Sequence, residues 1–377
     1  MIYLDYNATT PPEPAVLDAM MPYFNEKWGN PSSSYRFADE TRKAIDASRE
    51  TITYALGATA SGVVFTSGAT ESINSAIHSA RIRYPEKKHI VTSAVEHSAT
   101  LAYCEHLERD FGFEVTRLGV DRDGNLDPEE LRRSIREDTS LLSLIWANNE
   151  TGVIWPVEAY AKICRELGVL FHVDGVQAVG KIPVNFESCG ADFLSFSGHK
   201  IGCPKGIGGL LMAEPNKFKA LLYGGKQEHG LRGGTENTAF IVGLAKSVEL
   251  CSSPGRMIAW NEVRKMRDNL EVQLQANIPS ATVIGQQALR LPNTLSLHLP
   301  GIDSDAAVTY LDQQGICVSS GSACMESAIT PSHVIYAMSG SHEKASETLR
   351  ISLGRCSTAK DLDKLIGELT KLIEIYS

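Results

Sequence analysis

Between residues 60 and 215, short apolar runs alternate with stretches whose apolar residues fall at helical spacing. The runs are Val63-Val64-Phe65, His89-Ile90-Val91-Thr92, Glu114-Val115-Thr116-Arg117-Leu118 and segments 141–146, 169–173, 192–196 and 209–212. Their length and their β-branched and aromatic content predict strands. Segments 71–84, 99–111 and 157–167 repeat apolar residues at i, i+3 and i+4 and predict helices. Alternating strand and helix give βαβ units and a mostly parallel sheet, and strands apolar on both sides need helices on both faces. Two of the strands run into turns of small residues, Thr66-Ser67-Gly68-Ala69-Thr70 and Asp174-Gly175. Open α/β sheets bind ligands at such carboxyl ends.

The pattern changes at Cys251-Ser252-Ser253-Pro254-Gly255, a loop signal by composition. A long amphipathic helix over 258–277 follows, then short strands and helices, the last over 359–376. The C-terminal third therefore reads as a smaller α+β domain; the division into 13–256 and 1–12 with 257–377 is the expected domain arrangement.

Composition removes several classes. With 377 residues, 43% hydrophobic and 21% charged, the chain can bury a sizeable core, and disorder, collagen-like repeats and small disulfide scaffolds are excluded. A formal charge of −9 argues against direct nucleic-acid binding or an anionic membrane surface. The basic run Arg264-Lys265-Met266-Arg267 reads as a solvated helix face. Eight cysteines show neither a C-x-x-C pair nor zinc spacing, so no metal is expected and the thiols read as reduced and mostly buried. No signal peptide opens the sequence and no apolar run reaches about 18 residues, which predicts a soluble, cytoplasmic protein.

Candidate chemistry lies at the strand ends. Lys200, in Ser195-Phe196-Ser197-Gly198-His199-Lys200, would alone read as a surface lysine. Asp174 would read as a ligand contact or a helix N-cap. Together, in a doubly wound sheet, they fit pyridoxal phosphate, which needs a lysine for its Schiff base and an acid at its pyridine nitrogen. A lysine of ordinary pKa would cost about 4–5 kcal/mol to neutralise at pH 7, so its surroundings must lower that. Gly68-Ala69-Thr70-Glu71 opens a helix whose first N–H groups suit a phosphate, unless Thr70 is simply its N-cap. Cys324 sits among small polar residues, mobile by composition, between a strand over 315–318 and a helix starting near Pro331-Ser332. A thiol there is a poor core residue and needs only a modest pKa shift to act as a nucleophile.

Nine motifs carry a resemblance. They are Tyr3-Leu4-Asp5-Tyr6-Asn7-Ala8-Thr9-Thr10, Phe65-Thr66-Ser67-Gly68-Ala69-Thr70-Glu71-Ser72, Glu96-His97, Asn148-Asn149-Glu150-Thr151-Gly152, His172-Val173-Asp174, Ser197-Gly198-His199-Lys200, Arg232-Gly233-Gly234-Thr235-Glu236-Asn237, Ser319-Ser320-Gly321-Ser322-Ala323-Cys324 and Arg350-Ile351-Ser352-Leu353-Gly354-Arg355. In this order and spacing they resemble the cysteine desulfurases of the class V aminotransferase superfamily, in the branch with a long, mobile catalytic loop (here about 320–332). The resemblance implies an α/β pyridoxal-phosphate-dependent transferase of fold type I, with a mostly parallel seven-stranded sheet between helices and a smaller α+β domain. It implies Lys200 as the Schiff-base lysine, Asp174 at the pyridine nitrogen, Gln177 at the phenolic oxygen and His97 stacked on the ring and moving protons. Ala69, Thr70, Ser197 and His199 match a phosphate cup, and Asn149 a further polar contact to cofactor or substrate. Thr235 matches a phosphate contact from a neighbouring subunit, implying a homodimer with shared active sites. Asn7 and Arg350 match the groups that hold the substrate carboxylate.

Cys324 matches the nucleophile that takes sulfur from L-cysteine, leaving L-alanine and a persulfide. The sulfur acceptor would be a protein: an iron–sulfur scaffold, a tRNA-thiolation enzyme or a DNA-sulfur modification system. An aminotransferase or selenocysteine lyase of the same superfamily is the alternative. Three departures stand out. In His199-Lys200-Ile201-Gly202-Cys203-Pro204-Lys205-Gly206 the glycine falls one place early, so Cys203 would be strained if its position needs positive φ. Gly234 loosens the segment before Thr235. The sequence ends with the last helix, so the tail some relatives use to dock iron–sulfur scaffolds is expected to be missing.

Overall fold

The computed structural model describes residues 1–321 and 331–376. β1 (Ile2–Tyr3) pairs far along the chain. The seven apolar runs become β2 (Val63–Thr66), β3 (His89–Ser93), β4 (Glu114–Leu118), β5 (Thr139–Ile145), β6 (Leu170–Asp174), β7 (Phe193–Ser197) and β8 (Gly208–Met212). They form one sheet in the order β2-β8-β7-β6-β5-β3-β4. The pairings from β7 through β4 are parallel, and β8 runs antiparallel to both its neighbours. Neighbouring residues on each strand enter opposite cores. Val63, Phe65, Leu142, Phe171, Leu194 and Leu211 pack with Ile52, Tyr160 and Leu244 of helices Asp39–Leu56, Val157–Leu167 and Thr238–Cys251. Val64, Leu141, Leu170, Phe193 and Leu210 pack with Ile77 and Leu107 of helices Ala69–Arg83 and Ser98–Phe111. This is the burial that a continuous apolar strand demands.

The edge strand β2 is closed by an ion pair rather than by another strand. Outward-facing backbone groups of an edge need partners. Here the Phe65 N–H donates to Glu228 Oε2 at 2.9 Å, and Arg49 donates to the Val63 carbonyl. Arg49 and Glu228 are themselves joined by bonds of 3.0 and 2.9 Å, both nearly fully buried, with the guanidinium 4.8 Å from the Phe65 ring centre. Glu228 and His229 adopt φ of 47° and 57°, a left-handed turn that non-glycine residues disfavour and that the buried carboxylate holds in place.

Five further strands follow: β9 (Thr282–Val283), β10 (Thr294–His298), β11 (Ile316–Cys317), β12 (Ser319–Ser320) and β13 (Thr348–Ser352). β12-β13-β10-β9 make an antiparallel sheet, while β11 pairs in parallel with β1. The single strand expected over 315–318 is thus two, which change partners at Val318. Leu4, Leu270, Leu295, Leu349 and Leu365 form a separate apolar cluster with helices Pro254–Asn277 and Ala359–Tyr376. The basic run on the first of these helices is not wholly solvated. Arg267 turns inward and donates to the carbonyls of Leu291 and Thr294 at 3.1 Å each, because that face of the helix meets β10. Among the described residues no helix is long and apolar enough to cross a membrane. Five of the seven described cysteines are buried; Cys317 is half-buried and Cys356 exposed.

Replacing Glu228 by Ala strands a buried guanidinium and an edge N–H. We expect a loss of about 3–5 kcal/mol in urea unfolding, with Glu228→Gln losing less because it still accepts from Phe65. Equal midpoints for Glu228→Ala and the parent would contradict the edge-closing role.

Candidate active site

The carboxyl ends of the parallel strands open into a cavity of about 370 Å³. It is lined by Asn7, Ala69, Thr70, His97, Asn149, Asp174, Gln177, Ser197, His199, Lys200 and Arg350, residues drawn from the whole length of the chain. Thr235 lies exposed and outside this cavity in the single chain. Cys324 lies outside the described residues.

The turn after β2 meets the cavity without a side-chain cap. Gly68 is the N-cap of helix Ala69–Arg83, so Thr70 is not, and no side chain satisfies its first N–H groups. A Cβ built on Gly68 would meet nothing within 4 Å. An open helix N-terminus beside His199 and Lys205 is a cradle for an anionic phosphate. Glu71 in the first turn would repel an anion, but it is turned aside: Arg232 holds it at 2.9 Å and the Ser67 N–H at 2.8 Å.

At the other end of the cavity, Asp174 terminates β6 and accepts the Val176 N–H at 3.0 Å. Burial pushes its carboxyl up to about 6, against the pull of the Val176 N–H and of Lys200. Lys200, on the turn Gly198–Lys200, donates to the carbonyls of Asn7 (2.6 Å) and Ala8 (2.8 Å). His97 caps helix Ser98–Phe111 by accepting the Ala99 N–H on Nδ1 at 3.1 Å. Burial, then the nearby Lys200 and His333, push its imidazole down to about 4. It is neutral at pH 7, and the Ala99 bond leaves its proton on Nε2.

Arg350 lies on β13, 3% exposed, with Nη2 on Asp5 at 2.7 Å and Nη1 on the Asn149 carbonyl at 3.4 Å. Its Nε is buried with no partner among the described residues. A planar guanidinium lining the cavity suits a carboxylate ligand. Asn7 differs: both its amide protons are committed, to Asn149 O (3.1 Å) and Thr294 Oγ1 (2.9 Å). A substrate carboxylate could reach Asn7 only by displacing one of them. The expected strain at Cys203 is absent. Gly202 takes the positive φ, +91°, while Cys203 is buried away from the cavity, its thiol pushed up to about 12 by burial.

The donor set fits pyridoxal phosphate: an anion cradle, a lysine, a buried acid and an imidazole surround one cavity. Two contributors escaped the sequence reading, Asp5 and Lys181, because each acts on a residue distant in sequence or on the side of the cavity lining away from the ligand. Among the described residues no cluster of His, Cys, Asp and Glu could hold a metal ion.

Fold and site together define a pyridoxal-phosphate enzyme of fold type I. The model of the family "Aminotransferase class-V" matches residues 2–365. A cysteine desulfurase of Trichormus azollae is 44% identical over 374 residues, 99% of this chain and 93% of the relative. A solved NifS-like protein superposes with a TM-score of 0.92 at 34% identity, covering 99% of both chains. SspA in complex with cysteine gives 0.83 at 34% identity, covering 95% of this chain and all of that one. The chain belongs to the cysteine desulfurases of the class V aminotransferase family.

Behind His97 stands Glu96, fully buried, with Oε1 accepting from Ser93 (2.6 Å) and the Ile145 N–H (3.1 Å) and Oε2 unpartnered. Burial pushes it from 4.5 up to about 8. The folded state therefore keeps a proton that the unfolded chain releases, and stability falls as pH rises from about 4.5 to about 8. Glu96→Gln mimics the protonated acid. Its melting temperature relative to the parent should rise by roughly 3–6 °C between pH 5 and pH 8. A difference that stays constant with pH would refute the buried acid.

Proposed function

We propose that the chain is a pyridoxal-phosphate-dependent cysteine desulfurase, which removes sulfur from L-cysteine, releases L-alanine and passes the sulfur to an acceptor protein. The observation that carries this reading is the convergence of Lys200, Asp174, neutral His97 and Arg350 on one cavity beside an uncapped helix start. When bound, pyridoxal phosphate supplies an electron sink for the pair released at the substrate α-carbon. The first turn of helix Ala69–Arg83, with Ser197 and His199, would hold its phosphate. Asp174 would pair with its pyridine nitrogen and Gln177 with its phenolic oxygen, with Asn149 as a further polar contact.

Arg350 binds the substrate carboxylate through its planar guanidinium, which fixes the α-carbon over the sheet end. The Lys200 amine would hold the cofactor and would take the proton from the substrate α-carbon. His97 would stack on the ring and, neutral at pH 7, would serve as a base that takes up a proton and returns it. Cys324 attacks the substrate sulfur as thiolate. A sulfur–sulfur bond forms, the substrate carbon–sulfur bond breaks, and its electron pair goes to the β-carbon, which is then protonated to the methyl of alanine.

The quaternary and cellular parts of the reading are finer. We place Thr235 at the phosphate of a second copy, giving a homodimer with shared sites, and the protein in the cytoplasm. The separate apolar clusters support a division into 13–256 and 1–12 with 257–377. An aminotransferase or selenocysteine lyase would not need Cys324, which gives the test.

Purified protein with pyridoxal phosphate should show the visible band of a lysine-held cofactor, and Lys200→Ala should abolish it. Cys324→Ala should keep the band while sulfide and alanine release from L-cysteine falls to background. Full desulfuration by Cys324→Ala would overturn the desulfurase mechanism.

A further inference from the structure

Lys181 has no part in the chemistry above, yet it is 3% exposed at the back of the site. Its Nζ donates to Asn7 Oδ1 at 2.7 Å and to Gln177 Oε1. No carboxylate among the described residues bonds it, and the charged groups acting on it there are the basic side chains of Lys200 and Arg350. A buried ammonium in such company has no counter-charge. A neutral amine has two N–H donors, and two oxygens receive them. Burial and the two cations accordingly drive Lys181 well below the ordinary lysine value.

The consequence falls on Gln177. An amide offers an acceptor at one end and donors at the other. Lys181 occupies the acceptor end, so Nε2 is the end left to the cavity side, where it donates to the Asn7 carbonyl at 3.0 Å. Lys200 donates to that same carbonyl. Without Lys181 the amide could turn over and present its oxygen instead.

We propose that Lys181 is a positioning residue, which fixes the Gln177 amide with its N–H end toward the cavity so that it donates to the cofactor's phenolic oxygen. This rests on the reading of Gln177 given above. A donor there stabilises the phenolate, and an acceptor would oppose it.

The test is a spectrophotometric pH titration of the visible chromophore in purified holoenzyme, with turnover not required. Gln177→Leu, Lys181→Met and Lys181→Ala should each move the midpoint up by about one pH unit, the worth of one hydrogen bond to a charged oxygen. The double variant Gln177→Leu/Lys181→Met should move it no further, since both remove one contact. Lys181→Gln, which keeps an uncharged donor, should restore most of the parent midpoint. Asp174, His97, His199, Lys205, Lys200 and Arg350 also bear on the chromophore, but all are unchanged across the series. A shift in Gln177→Leu with none in Lys181→Met or Lys181→Ala would overturn the role of Lys181 and leave that of Gln177 standing. Failure of Lys181→Gln to restore the midpoint would likewise overturn it. No shift in Gln177→Leu would overturn the Gln177 reading itself.

Discussion

A single buried asparagine ties the molecule together. Asn7 takes part in seven hydrogen bonds. Its N–H donates to Ser352 Oγ, and its amide donates to Thr294 Oγ1 and the Asn149 carbonyl. Its Oδ1 accepts from Asn293 and Lys181, and its carbonyl accepts from Gln177 and Lys200. Ser352, Asn293 and Thr294 belong to the small sheet and its approach; the others belong to the wall built on the large sheet. Every polar atom of this residue is matched, so any sliding of one sheet past the other would break several bonds at once. Arg350, carried by the small sheet, and Lys200, carried by the large one, keep their spacing for this reason.

The same desolvation sets the electrostatics. Burial pushes His97 down to about 4, Asp174 up to about 6 and Glu96 up to about 8, each toward its neutral form. At Asp174 and Glu96 burial outweighs the opposing hydrogen bonds, and at His97 the nearby Lys200 and His333 push the same way as burial. Lys200, Lys205 and Arg350 line the cavity as cations, with Asp5 bonded to Arg350. A pocket lined by Lys200, Lys205 and Arg350, whose lining carboxyl Asp174 is pushed toward its neutral form, is matched to ligands bearing a phosphate and a carboxylate.

How much of this could be read from the residues alone follows from range. The seven strands were legible because each needed only its own apolar run, and Asp174 and Lys200 because they sit where two such runs end. The turn at Gly68 was half legible: small residues marked it, but whether Thr70 capped the helix depended on side-chain direction. The pairing of Arg49 with Glu228, 179 residues apart, gave no signal, nor did that of Asp5 with Arg350, 345 apart. Neither pairing is visible until the fold brings the partners together. Arg267 misled for the opposite reason, since its neighbours in sequence are solvated and it is not. Cys203 looked strained only because the glycine beside it had not yet been seen to take the positive φ.

The motif Asn148-Asn149-Glu150-Thr151-Gly152 shows why a recognisable string can hide its own mechanism. Asn148 Oδ1 accepts the N–H groups of Glu150 and Thr151, folding the motif into a tight turn, and its Nδ2 donates to Val95 ahead of His97. Gly152 has φ of +78°, and a Cβ there would lie 2.7 Å from that of Thr294, so only glycine lets the turn touch β10. Glu150, fully buried, accepts from Ser332 Oγ on Oε2, and Gly321 packs against the same oxygen, where a Cβ would come within 2.6 Å. The chain thus enters and leaves segment 322–330 at one carboxyl. What Asn149 gives Asn7 and Arg350 is its backbone carbonyl, which no substitution of its side chain removes. The motif is a junction that holds Arg350, Asn7, Ser332 and the wall behind His97 in register. Its strict spacing follows from the turn, and its chemistry is exerted through the residues it positions.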